Sequence, residues 1–379
     1  MKKGNRKEKA VLIIDSTEGN PDLFHSTGGF SVPDPVVFLR HGSESVLVLS
    51  DLELSRGREK AAVSTILPLS RYAPPRRGAA GLAGVALALL RERKIKNVEV
   101  QRSFPLAFAD FLRDKGVRVS CSKNAVLFSE RTVKTPREVA LIRKSLKDTA
   151  AAMKTATALV FGAKPGKNGV LFSGGKLLTS ERIKGAINSQ LAGAGYSVSG
   201  TIAACGEHSA MPHHSGEGPV FANLPVVIDI FPRSVDGYFG DMTRTVVNGA
   251  PSPALSAMYK AVLKAQNLAI GMIKHGVKTA QVHGAVRDLF DSEGFPTSGG
   301  EKPGGFIHST GHGLGVGLHE PPSVGPGTDV LQKGNVVTVE PGLYYEGVGG
   351  IRIEDVVLVT AGGCENLTRC PKVFSRPRG

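Results

Sequence analysis

Five side chains in the second half of the chain carry more chemistry than structure. Asp229 lies in the apolar run 226–231, and Asp241 follows after a turn rich in Pro, Asp and Gly, within VVIDIFPRSVDGYFGDMTRTVV. An acid in such a run is costly to bury unless something positive compensates it. The pattern recurs in VVTVEPGLYYEGVGGIRIEDVVLV: Glu340 ends one apolar strand, Glu354 lies within another, and a turn at 346–350 separates them. Four carboxylates aimed into one apolar site would repel and raise each other's pKa, whereas two divalent cations would neutralise them. A dinuclear metal site is the economical explanation. FIHSTGHGLGVGLHEPP supplies three histidines, His308, His312 and His319, spaced by four and seven, as sources of a neutral nitrogen ligand. His312 is the best candidate, because its flanking glycines let the backbone approach closely. Oxygen-rich ligation with one nitrogen suits manganese or a similar first-row ion, and cobalt or zinc could also bind.

Two hairpins are needed to bring these acids together, one over 226–247 and one over 336–359. The helices that would support them are read from capping and apolar spacing. Thr135-Pro136-Arg137-Glu138 has an N-cap threonine, a proline at the first helical position and an acid at the third, and opens a helix through about 159. Further helices are expected over 180–194, 254–274 and 279–292. In the third of these four, Leu255, Met258, Tyr259, Val262, Leu263, Ile270 and Ile273 lie toward one side. Before residue 134 the pattern differs. Short β-like runs at 11–14, 36–39, 46–49, 98–100 and 117–120 alternate with helical stretches at 79–93 and 106–115, which reads as a small α/β domain. Two domains are expected, 1–133 and 134–379, in keeping with a chain of 379 residues.

Composition narrows the class. With 41% hydrophobic and 21% charged residues the chain is a folded one. Its apolar runs are too short for a membrane span or a signal peptide. Its four cysteines form no CxxC pair, so a reducing cytoplasm is the expected setting. The net charge of +14 belongs mostly to residues 1–160, which hold 28 basic against 16 acidic side chains. These basic residues lack interleaved aromatics, so a solvated surface is expected rather than a nucleic-acid partner. No phosphate loop or HExxH motif is present.

The order Asp, Asp, His, Glu, Glu in these contexts resembles the family of aminopeptidase P, prolidase and methionine aminopeptidase. MPHH at 211–214, GHGLG, LHE and GIRIED at 350–355 resemble its other motifs, and NPDLFHSTGGFSVPDP more weakly resembles the small N-terminal domain of the aminopeptidase P and prolidase branch. The spacing of 12 from Asp229 to Asp241 is one more than the family's usual spacing. The resemblance implies an α+β pita-bread catalytic domain behind a smaller α/β domain. It implies five metal ligands, Asp229, Asp241, His312, Glu340 and Glu354, holding two divalent ions, most naturally manganese. It also implies catalytic roles for His213, His319, Glu340 and Arg352, and substrate binding by His213, His308, His319 and Arg352. The implied reaction is attack of a metal-bridging hydroxide on an Xaa-Pro bond at a peptide's N-terminus, with Glu340 shuttling the proton. A prolidase restricted to dipeptides and a non-catalytic binding module on the same fold are the alternatives. The implied partners are proline-containing peptides and a second copy of the chain.

Overall fold

Residues 9–72, 81–297 and 304–376 are described by the computed structural model, and the chain divides into two units, Met1–Arg131 and Thr132–Gly379. In the first unit a six-stranded sheet runs in the order Thr65–Pro68, Glu44–Leu49, Val36–His41, Ala10–Asp15, Asn97–Val100, Arg118–Cys121. Successive side chains of a strand face opposite ways. Leu12, Ile14, Val37 and Leu39 therefore meet the helices Gly81–Glu92 and Leu106–Asp114 on one face, while Ile13, Phe38, Leu47 and Leu49 pack with Leu23, Phe30 and Phe128 on the other. The helix expected over 79–93 is found as Gly81–Glu92; residues 79 and 80 lie outside the described ones. The short helix Leu54–Lys60 is not visible in the apolar pattern, because it buries only Gly57.

The second unit opens with the helix Pro136–Phe161. Thr135 Oγ1 accepts from Glu138 N at 3.3 Å, and Glu138 Oε2 accepts from Thr135 N at 2.8 Å, which closes a capping box. Met153, Ala156 and Val160 of this helix share a core with helix Ser180–Gly193 and with strands Ile202–Cys205, Pro225–Ile230 and Met242–Asn248. A second core joins helices Pro253–Met272 and Thr279–Ser292 to strands Val336–Val339, Gly342–Tyr345, Gly349–Arg352 and Asp355–Val359. Leu255, Met258, Tyr259 and Val262 form the buried stripe of helix Pro253–Met272, and a polar residue, Gln266, is fully buried in the same helix.

Strand Gly349–Arg352 lies against both strands of the first hairpin. Thr245 stitches the two together: its Oγ1 accepts from Arg352 N at 3.0 Å and donates to Arg352 O at 2.9 Å. No helix among the described residues is long and apolar enough to cross a membrane.

Candidate metal centre

The first hairpin pairs Pro225–Ile230 with Met242–Asn248 in an unbroken antiparallel register from Pro225↔Val247 to Ile230↔Met242. Asp229 stands opposite Thr243, and Asp241 immediately precedes the second strand. Residues 231–241 connect the strands, so the extra residue in the spacing lies outside the ladder, where an insertion is readily absorbed.

The second pair of acids is held differently from the expectation. Glu354 does not lie within a strand. Val336–Val339 pairs with Asp355–Val359, and Gly342–Tyr345 pairs with Gly349–Arg352, which leaves the ladder interrupted at 340–341 and at 353–354. Pro341 has no N–H to donate, so the ladder cannot run through it. The backbone at the interruption bonds elsewhere: Glu340 N donates to Thr310 O at 2.8 Å, and Glu354 N donates to Thr243 O at 3.1 Å. Each acid thus leaves its own ladder and is tied to a neighbouring segment.

His312 sits in the short strand Gly311–Gly313. A Cβ on Gly311 would overlap Thr338 O, and one on Gly313 would fall 2.5 Å from Glu320 O and 2.6 Å from Pro321 O. Both glycines are therefore required by close backbone approach.

These elements bring the five side chains together. Ligand atoms of Asp241, His312 and Glu354 lie within 4.8 Å of one another. His312 Nε2 is 3.2 Å from Glu340 Oε1 and 3.7 Å from Asp241 Oδ2. Arg352 Nη2 donates to Asp229 Oδ2 at 2.7 Å. Thr243 Oγ1 donates to Glu354 Oε2 at 2.8 Å, and Thr338 Oγ1 donates to Glu340 Oε1 at 3.1 Å. Thr243, Thr338 and Tyr344 are absent from the sequence expectation. Only Thr243, two residues past Asp241 on the same strand face, carried a usable signal.

Burial raises the carboxyl of Asp229 despite Arg352 beside it. Burial and then the charge of Asp229 raise Asp241 well above its ordinary range, and burial and then Asp241 do the same to Glu354. Burial also opposes charge on His312 and Glu340, but their mutual hydrogen bond and attraction outweigh it, lifting His312 to about 9 and holding Glu340 at about 2. The donor set fits divalent cations. Asp229 Oδ1 is buried with no hydrogen-bond partner, an arrangement that is costly for a carboxylate oxygen and is relieved by a cation. Three buried acids and the half-buried Glu340 face one buried arginine, and the remaining ligand is an imidazole whose Nδ1 is 3.1 Å from Gly313 O, which fixes the proton there and leaves Nε2 directed at the acids.

His208, His214 and Glu217 also have ligand atoms close together. Their geometry does not suit a metal. The two rings stack face to face, 4.0 Å apart and 13° from parallel, so an ion between them would lie far out of both ring planes. His214 Nδ1 also accepts from Gly216 N at 3.0 Å, which leaves the ring proton on Nε2. This is a packed pair.

The other expected residues surround the acids. His319 and His213 are exposed. The His319 ring lies 4.4 Å from that of His312, edge to face, and burial of its inner side and then the charge of His312 hold its pKa below the usual value. His308 is different. Its Nδ1 donates to Ser309 O at 2.8 Å, so its Nε2 accepts from Tyr344 Oη at 2.9 Å, and Tyr344 Oη accepts in turn from Arg352 Nη1 at 2.8 Å. Both of its ring nitrogens are engaged by protein. Arg352 also donates from Nε to Thr243 Oγ1 at 3.2 Å. Next to His319, Glu320 forms a buried ion pair with Lys134 at 2.5 Å and accepts from Gly317 N at 3.1 Å, fixing the turn that carries His319.

Clustered acids, one imidazole and a rim of exposed histidines define a metallohydrolase site. The chain belongs to metallopeptidase family M24, whose model matches residues 140–361; membership of this family implies divalent metal ions. The chain is 26% identical to an Xaa-Pro dipeptidase of Pyrococcus horikoshii, over 95% of this chain and 92% of that one. In structure it resembles an Xaa-Pro dipeptidase from Bacillus anthracis (TM-score 0.81, 23% identity, 97% and 95% of the two chains). It also resembles an X-Pro aminopeptidase from Thermotoga maritima (TM-score 0.79, 24% identity, 97% and 98%). The fold is the α+β pita-bread fold.

Proposed function

We propose that this protein is a metal-dependent peptidase that cleaves the bond between an N-terminal residue and a following proline. The observation that carries the reading is the convergence of four carboxylates, three of them buried, and the Nε2 of His312, with Asp229 Oδ1 lacking any hydrogen-bond partner. Asp229, Asp241, His312, Glu340 and Glu354 would hold two divalent ions, and the preponderance of oxygen donors favours manganese. Bound there, such ions supply an acidified water and a Lewis acid for the scissile carbonyl. Glu340 would accept the proton given up by the attacking water, on the carboxylate oxygen not engaged by His312. His319, neutral because its pKa is lowered, would donate a ring N–H to the oxygen that gains charge on the substrate carbonyl, and His213, whose charge acts on His319, would bind the substrate beside it. Arg352 holds Asp229, Thr243 and Tyr344 in place.

Proline specificity draws its support from the Pyrococcus relative matched over nearly the whole chain. The amide before proline has no N–H, so a pocket shaped to the pyrrolidine ring accepts it without leaving a donor unpaired. The same relative favours a dipeptidase as the narrower reading. A homodimer and a reducing cytoplasm are the corresponding proposals for assembly and setting. The test is hydrolysis of Ala-Pro, Ala-Pro-Ala, Ala-Ala-Ala and Met-Ala-Ser by manganese-loaded protein. Cleavage of Ala-Pro alone supports the dipeptidase, and cleavage of Ala-Pro-Ala supports the aminopeptidase. Preference for Met-Ala-Ser would overturn proline specificity.

A further inference from the structure

The interruption leaves Ile353 outside both ladders, whereas Val339 keeps its strand partner Asp355. A buried carbonyl without a donor costs on the order of 1–3 kcal/mol, so Ile353 O needs a partner from elsewhere. That partner is Gln266, fully buried in helix Pro253–Met272. Its Nε2 donates to Val339 O at 3.0 Å and to Ile353 O at 3.1 Å. These carbonyls belong to the peptide units that lead into Glu340 and Glu354. The opposite ends of the same two units are also fixed, Glu340 N by Thr310 O and Glu354 N by Thr243 O. Both peptide planes are thus clamped at each end, and one amide group supplies one clamp of each. Gln266 Oε1, meanwhile, is buried with no hydrogen-bond partner. A polar side chain kept in an apolar helix stripe with its oxygen unsatisfied is there for its two N–H groups.

We propose that Gln266 is a positioning residue, whose amide sets the directions in which Glu340 and Glu354 project and so the spacing of the proposed metal ligands. The inference rests on the reading of these acids as ligands. A residue that orients a ligand costs roughly 10- to 100-fold in metal affinity when removed. A residue that only fills the core costs stability and leaves the affinity of the folded protein unchanged.

The experiment measures manganese affinity by titration calorimetry on folded, chelator-stripped and dialysed protein, for wild type, Gln266→Met and Val262→Ala. Gln266→Met keeps the volume and removes both donors. Val262→Ala opens a cavity on the same helix without touching either carbonyl. Affinity reduced by at least about 10-fold in Gln266→Met and unchanged in Val262→Ala is the expected result. Unchanged affinity in Gln266→Met, or equal losses in both variants, overturns the proposal. Should Gln266→Met not fold, Gln266→Glu takes its place, with the same shape and one hydroxyl donor instead of two amide hydrogens. Weakened binding in that variant supports the proposal, and wild-type binding overturns it. A wild-type protein that binds no manganese refutes the metal reading itself, which separates the two failures.

Discussion

Arg352 grips one oxygen of Asp229 at 2.7 Å and leaves the other, Oδ1, buried and without a hydrogen-bond partner. The arginine leaves that oxygen uncompensated by any hydrogen bond, while Glu340 and Asp241 interact electrostatically with the same carboxyl. Arg352 also bonds Tyr344 and Thr243, so a point charge cannot replace its planar fork. Arg352→Leu should destabilise the chelated protein by about 3–5 kcal/mol in urea denaturation, as expected when one member of a buried pair is removed. A loss below about 1 kcal/mol would show that Asp229 is neutral in the folded protein.

The pH dependence of stability follows from the same cluster. His312 is raised from near 6.5 to about 9 in the folded state, so its contribution is complete below 6.5 and is lost as pH rises through 9. The raised carboxyls of Asp229, Asp241 and Glu354 act in the same direction, losing stability as pH climbs through their folded values. Glu340, lowered to about 2, has the opposite sign but acts only below its ordinary value of 4.5. Chelated protein should therefore lose stability between pH 6.5 and 9. Manganese should reverse the trend, because its ligands bind deprotonated. Thermal melts across this range, with and without the metal, check both slopes; a flat chelated profile would contradict the account of the cluster.

Glu340→Gln should lower turnover by on the order of 100-fold or more, because it removes a charged ligand and the proton acceptor together. The domain should remain folded by circular dichroism. Near-normal turnover would assign the proton to another group.

His319→Ala should lower turnover by roughly 100-fold with metal content unchanged, since the ring is at the exposed rim and donates to developing charge. Loss of metal in this variant would exchange its role with that of His312. Lys134→Met offers a contrast. It leaves Glu320 buried and unpaired by lysine and should cost about 3–5 kcal/mol, with activity falling through misplacement of the His319 turn.

The parts of this architecture that depend on local pattern are legible in the chain. The capping box at Thr135, the apolar stripe beginning at Leu255 and the acids stranded in apolar runs each signal themselves within a few residues. What escapes is whatever is decided by residues distant in sequence. Glu354 reads as a strand residue because Ile351 and Ile353 precede it and the apolar run 356–359 follows shortly after, and only the pairing partners reveal the interruption that frees it. Gln266 is one polar position in an otherwise ordinary helix, and its two carbonyl partners lie 73 and 87 residues away. His308 shares its spacing motif with His312, yet Tyr344, 36 residues on, occupies its Nε2.

The most direct test is elemental analysis coupled to an Ala-Pro hydrolysis assay on protein before chelation, after chelation, and after manganese is restored. The account predicts about two divalent ions per chain in the active protein, no hydrolysis after their removal, and recovery with manganese. Full hydrolysis by protein verified to be metal-free would contradict it.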